Sequence, residues 1–259
     1  DYGTPAYITY FRNQLEELLT GYGEINEIWF DGANGGTGWY GGANEERRID
    51  RETYYDWPGT IELVKSLQPG IKVFSDAGPD IRWVGNEKGH AGETFWSTIS
   101  AGNIVIGASD QGYLNTGDPA GDRWITGQCD VSIRPGWFYH ADEDSLVKTP
   151  GQLMDIYYRS VGRNGVLLLN LPPDRRGLIH ETDAANMQEF RRNILEIFDE
   201  DLARGARVTV WKEICRGTTI GYKRILVTGP VTASRLKLVI ESALFHPAVS
   251  QFELFNSVQ

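Results

Sequence analysis

The residues best placed to do chemistry are carboxylates that end apolar runs. Asp31 closes EIWFD and is followed by Gly-Ala-Asn-Gly-Gly, and Asp76 closes IKVFSD. In parallel α/β folds the C-terminal strand ends form one rim on which functional groups gather, so both aspartates hold a position from which they could act. Each is followed by a stretch longer than a connector needs, residues 32–56 after the first and a Gly- and Trp-rich run after the second. The same residues suit a plain turn, because Asp before small residues readily closes a strand. The second stretch, DAGPDIRWVGNEKGHAGETFW, carries Asp80, Arg82, Glu87, His90 and Glu93 among aromatics. A loop carboxylate desolvated beside Trp is suited to acid catalysis, and with an ionised strand-end Asp it makes the two-carboxylate arrangement of a glycosidase. The simpler alternative is a solvated loop with incidental charges.

Other chemistries fit less well. The four histidines, at 90, 140, 180 and 246, have no ligand spacing, and Cys129 and Cys215 stand alone, so no metal and no cofactor are expected. GANGGTGWYGG lacks the Gly-Lys-Ser/Thr ending and the dinucleotide spacing of a phosphate cradle, and there is no G-x-S-x-G elbow. A net charge of -10 without a basic run argues against nucleic acid, which needs clustered Lys and Arg. No run approaches the length of a membrane span. The opening DYGTPAYITY has neither a basic nor an apolar leader segment, so no targeting signal is expected within these residues. Eight Trp and twelve Tyr could supply faces for sugar rings or simply fill a core. RPGWFYH, residues 134–140, is either the aromatic wall of a pocket or a packed barrel edge.

The elements that would position these groups alternate. Thr4 and Pro5 start a helix with apolar residues at helical spacing up to Gly21, followed by the strand INEIWFD, a helix over TIELVKSLQ and the strand IKVFSD. NIVIGAS, CDVSI and GVLLLNL read as further strands, PGQLMDIYYRSV as a helix behind Thr149, and residues 182–203 as a long helix capped by Thr182. Apolar strands alternating with helices predict a parallel sheet of the α/β class, barrel or doubly wound. From about residue 205 the pattern shortens to TTIGYKRILVTG, SRLKLVIES and VSQFELFN, which predicts a small all-β unit. The expected division is therefore 1–204 and 205–259.

YGEINEIWFDGANG, SDAGPDIRWVGNEKG, RPGWFYH, LLLNLPPDRRGLI and GTTIGYKRI, in this order, resemble the family 29 glycoside hydrolases, the α-L-fucosidases, and within them the branch favouring α-1,3 and α-1,4 linked fucose. The resemblance implies the later part of a (β/α)8-like barrel followed by a truncated β-sandwich. It implies that Asp31 is the nucleophile and Glu87 the general acid/base, with Glu93 a second candidate for the latter and Asp76 a third. Trp29 would line the sugar site, Arg82 would lie near the acid/base, and Trp137 would face the fucose methyl group. The implied partner is a fucosylated oligosaccharide or glycoconjugate, and the implied location is secreted, periplasmic or lysosome-like. Family members carry barrel strands ahead of the helix that opens this chain, and more sandwich between RV and WKEI. The expectation is thus a fragment with little turnover of its own, or a carbohydrate-binding remnant of the scaffold.

Overall fold

The computed structural model describes residues 3–30, 37–40, 45–50, 52–107, 109–201, 213–233, 236–243 and 247–255. Its centre is a sheet of five strands: β1 (Glu27–Trp29), β2 (Lys72–Ser75), β3 (Ile81–Trp83), β4 (Thr126–Ser132) and β5 (Val166–Asn170). All neighbours are parallel, and the spatial order repeats the chain order. Because crossovers between parallel strands are right-handed, a sheet that never reverses its order sends its helices to one face only. That is the winding of a barrel wall; a doubly wound sheet reverses direction at its centre.

The helices occupy the outer face as this rule requires. α1 (Pro5–Gly21) and α2 (Trp57–Leu67) pack Leu15, Leu19 and Val64 against Val73 and Ile28. α4 (Pro150–Arg159) and α5 (Glu181–Phe198) pack Leu153, Ile156, Phe190 and Ile197 against Val131, Ile133, Leu167 and Leu169. A short α3 (Gln111–Thr116) lies between β3 and β4 in the chain, with Leu114 buried. Thr149 closes a reciprocal capping box with Gln152 at the start of α4. Two small antiparallel strand pairs, Thr37–Tyr40 with Glu45–Arg48 and Thr98–Ile99 with Arg123–Trp124, stand apart from the sheet. Among the described residues no helix is long and apolar enough to cross a membrane.

Several elements depart from the expected pattern. β3 lies inside the stretch read as a loop, joined to its parallel neighbour β2 by only residues 76–80. Such a short crossover is held from both sides: the Asp80 carboxylate accepts from the Val73 N–H at 2.8 Å and pairs with Lys65 of α2. Arg82 masks the strand in the sequence. It is fully buried on the outer face, stacked over Phe95, and donates to the carbonyls of Leu114, Ser97, Trp96 and Ile125. NIVIGAS is not a strand; it follows a 3-10 turn (Ala101–Asn103), and its Ile104 and Ile106 enter the core from irregular backbone. α5 starts two residues earlier than expected, with His180 rather than Thr182 as its cap.

The described residues from 213 to 255 form neither helix nor strand, so the expected sandwich is not found among them. A strand needs partners to satisfy its backbone, and a lone extended segment does not supply them. Residues 218–225 instead run as a strap over the outer side. Thr219 is buried and accepts from the Phe95 N–H, the Tyr222 N–H reaches the Asn164 side chain at 2.7 Å, and the Ile225 N–H reaches the Gly162 carbonyl at 2.7 Å. Lys223 lies over the Tyr157 and Phe198 rings.

Replacing Arg82 by Met would take a donor from four carbonyls, of which that of Ser97 keeps the Ile125 N–H. Arg82→Met is therefore expected to lower unfolding free energy by about 3–5 kcal/mol, read from urea denaturation. A loss within about 0.5 kcal/mol, the range of ordinary surface substitutions, would refute this role.

Candidate active site

Side chains of the parallel strands alternate between the helix-covered outer face and an inner face, and the inner face is where polar groups collect. Along β4 and the residue after it, Cys129, Val131 and Ile133 point into the outer core, whereas Gln128, Asp130 and Ser132 point inward. Each inward group has a partner on another strand. Gln128 donates to Glu27 of β1 at 3.2 Å, Asp130 accepts from the Trp83 indole N–H of β3 at 2.7 Å, and Ser132 accepts from Asn170 of β5 at 3.0 Å. Trp29 stands on β1, partly exposed, with its ring 4.8 Å from that of Phe74 on β2.

Glu87 is carried by the turn that follows β3. The turn is fixed through its own sequence: the Asn86 amide donates to the carbonyls of Val84 and His90, and its oxygen accepts from the Lys88 N–H. Asn115, at the end of α3, donates to the same two carbonyls from outside. Gly89 then bonds its N–H to the Asp130 carbonyl at 3.1 Å. Its φ of +72° and close approach to Ile156 and Val131 leave no room for a side chain. The Glu87 carboxylate projects from this turn and is exposed, which corrects the expectation of a desolvated loop carboxylate. One of its oxygens accepts from the Trp137 indole N–H at 3.2 Å.

Trp137 is placed by the segment after β4. Arg134 is fully buried there and forms a bidentate pair with Asp183 of α5 at 2.8 and 2.9 Å. It also lies 2.9 Å from Asp144, donates to the His140 carbonyl and stacks over the Tyr139 ring. Asn170, at the end of β5, donates to the Trp137 carbonyl at 3.0 Å.

Of the residues singled out in the sequence, Glu87 and Trp137 are therefore in contact. Trp29 stands on the edge strand β1, two strands from β3. Arg82 sits behind the sheet, its nitrogens given to main-chain carbonyls, and burial lowers its pKa. Asp31 lies outside the described residues. Glu93 spends its two oxygens on Arg163 and Arg224, at the end of the strap. Asp76, half-buried at the end of β2, accepts from the Gly107 N–H at 2.7 Å. Asp80 and His90 serve structure: the former pins the crossover, and the latter offers its carbonyl to two Asn amides. Among the described residues no three His, Cys, Asp or Glu side chains gather as a metal site would require. Asn86, Asn115, Arg134, Asn170 and the inward side chains of β4 are the groups that sequence reasoning passed over. A signal existed for the last: polar residues at every second position of an otherwise apolar strand.

Residues 2–193 match the family model described as alpha-L-fucosidase. The chain belongs to the α-L-fucosidase family. It is 46% identical over 206 residues to Alpha-L-fucosidase 1 of Arabidopsis thaliana, a match covering 79% of this chain and 38% of that protein. A crystal structure of a glycoside hydrolase 29 family member from an unknown rumen bacterium superposes with a TM-score of 0.73 at 51% identity, over 82% of this chain and 38% of the other. A Ruminococcus gnavus GH29 fucosidase in complex with fucose superposes with a TM-score of 0.64 at 30% identity, over 78% and 41%. The chain thus spans less than half the length of each of these fucosidase-family relatives. The likeness accords with the strand order: the five strands are part of the TIM-like barrel wall of this family.

Burial raises the Asp76 carboxyl above the ordinary aspartate value, partly offset by the Gly107 N–H. The folded chain therefore holds this proton more tightly than the unfolded chain, so this group's contribution to stability is lost as pH rises from the ordinary aspartate range through the raised value. Asp76→Asn keeps an acceptor for Gly107 and removes the charge. Between about pH 4 and pH 7 the variant's denaturation midpoint is expected to fall less, or rise more, than the parent's, whereas parallel profiles would contradict the assignment.

Proposed function

We propose that this chain carries the catalytic pair of a retaining exo-α-L-fucosidase that removes terminal α-1,3 or α-1,4 linked fucose from glycans. The observation that carries the reading is the Glu87 carboxylate, set on the rim of the barrel wall by a braced turn and touched by Trp137, in a chain of the fucosidase family. Asp31, one residue beyond the main-chain bond from Phe30 N–H to the Phe74 carbonyl, is the nucleophile. In a retaining mechanism the two carboxyl groups stand about 5–5.5 Å apart. Asp31 attacks the anomeric carbon as the carboxylate while Glu87 gives its proton to the departing glycosidic oxygen. Glu87 then takes a proton from water, whose oxygen displaces Asp31 and releases fucose with its configuration retained.

The supporting groups divide by distance from this chemistry. Trp137 orients Glu87 through its N–H, and its ring faces the fucose methyl group, while Trp29 lines the opposite side of the sugar. Arg82 acts from behind the sheet by fixing β3, from which the Glu87 turn departs. Glu93, bonded to two guanidinium groups, holds the strap and leaves acid/base work to Glu87. Residues 1–204 form the catalytic portion, and 205–259 belong to a C-terminal unit that leans on it.

A 2-deoxy-2-fluoro-fucosyl fluoride tests the assignment, because the fluorine slows release of the intermediate and even a slow enzyme accumulates label. Mass is expected on the peptide containing Asp31, and none in Asp31→Asn. Glu87→Gln should still take the label, since fluoride leaves without a proton, yet release fucose from a glycan about 10²–10⁴-fold more slowly. Glu93→Gln should change neither. Fucose binding without labelling would replace the enzyme by a carbohydrate-binding scaffold.

A further inference from the structure

Glu87 is braced from two sides, and the second brace hangs on a residue that no step of the proposed mechanism uses. The first brace is the turn that carries Glu87. The second is the Trp137 indole, which comes from the segment after β4. That segment is closed at its base, where Arg134 donates to the His140 carbonyl and lies against the Tyr139 ring. Between these ends little holds it: Pro135 and Phe138 are exposed. Among the described residues the main chain of residues 135–139 makes one hydrogen bond, accepted by the Trp137 carbonyl from the Asn170 amide at 3.0 Å.

Asn170 can serve as that tie because it is itself fixed. It ends β5 directly opposite Ser132 of β4, and its main-chain carbonyl accepts from the Ile133 N–H at 3.0 Å. Its side-chain amide has two hydrogens, and both are used, one on Ser132 Oγ at 3.0 Å and one on the Trp137 carbonyl. A carbonyl can only accept, so the nitrogen of the Asn170 amide faces Trp137 and its oxygen does not. Ser132 Oγ also accepts from the Arg134 N–H at 3.3 Å, which joins the tie to the start of the same segment. The sheet thus reaches the middle of the loop through one side chain, and from the point it holds the indole N–H meets the Glu87 carboxylate at 3.2 Å.

We propose that Asn170 is a positioning residue for proton transfer: by holding the Trp137 main chain it sets the indole N–H against the Glu87 carboxylate, and so fixes where Glu87 meets the glycosidic oxygen. Asn170 acts through Trp137, and its removal leaves every group of the chemistry present but misplaced. A displacement of about 1 Å in a reacting group can cost up to about 10²-fold in rate. The proposal rests on the fucosidase reading for the task that Glu87 performs.

Two variants separate the amide from its shape. Asn170→Asp can still accept from the Ser132 hydroxyl but has no hydrogen for the Trp137 carbonyl, and Asn170→Ala removes the amide without adding charge. The first readout requires no turnover. In NMR spectra of the full chain the Trp137 indole N–H peak, identified by its absence from Trp137→Phe, should move on Glu87→Ala. Both Asn170 variants should move it as well, and adding Glu87→Ala to either should then move it no further. A peak that keeps its parent position in the folded Asn170 variants, or that answers Glu87→Ala equally in all backgrounds, would overturn the proposal. The second readout is the leaving group, since a dinitrophenolate departs without a proton whereas a sugar alkoxide requires one. The ratio of dinitrophenyl fucoside turnover to fucosylated disaccharide turnover should rise about tenfold in Asn170→Asp, and should not rise when Glu87→Gln is already present. An unchanged ratio in Asn170→Asp would count equally against the proposal. Coupled indole shifts in a chain that neither releases fucose nor takes label at Asp31 would keep Asn170 as the residue that places Trp137 on Glu87 and remove the fucosidase reading instead.

Discussion

The arrangement of the rim depends on one buried ion pair. Arg134 and Asp183 are both fully removed from water, and each would be costly to bury alone. Their bidentate geometry ties the segment after β4 to the first turn of α5. The remaining donors of the same guanidinium reach Asp144 and the His140 carbonyl, and its flat face supports Tyr139. Trp137 is thereby held at a height from which its N–H meets Glu87, although the two residues come from different strand ends. Loss of this pair would disturb Trp137 and Tyr139 together.

Much of the wall was legible from periodicity. β1, β2, β4 and β5 announce themselves as short apolar runs, and α1, α2, α4 and α5 as amphipathic repeats, with the starting signals of α1 and α4 read correctly and those of α2 and α5 not. β3 was not legible, because its centre is Arg82 and its approach is Asp80. Both look like surface charges until the carbonyls around Arg82 and the Val73 N–H at Asp80 are seen. NIVIGAS misled for the opposite reason: apolar residues at 104 and 106 fill the core from irregular backbone, which a hydrophobic pattern cannot tell from a strand. The tail alternates like a set of strands, yet residues 219–225 bond singly to loops of the barrel wall.

The site was legible in part. Glu87 and Trp137 drew attention by type and neighbourhood, and they are in contact. What could not be read was the bracing: Asn86 and Asn115 converge on the carbonyls of Val84 and His90, a match made by folding and not by spacing. Glu93 shows the converse, a carboxylate in an inviting loop whose oxygens are committed to Arg163 and Arg224.

β4 has a consequence for how this protein can vary. Its even-numbered positions, Gln128, Asp130 and Ser132, answer to hydrogen-bonding partners across the inner face, while Cys129, Val131 and Ile133 answer to the volume of the outer core. Substitution along a single strand is thus filtered by two unrelated criteria at alternate residues. A change of shape is tolerated where a change of polarity is not, and the reverse holds one residue further on. The strand behaves as two interleaved sequences, one drifting under packing and the other under chemistry.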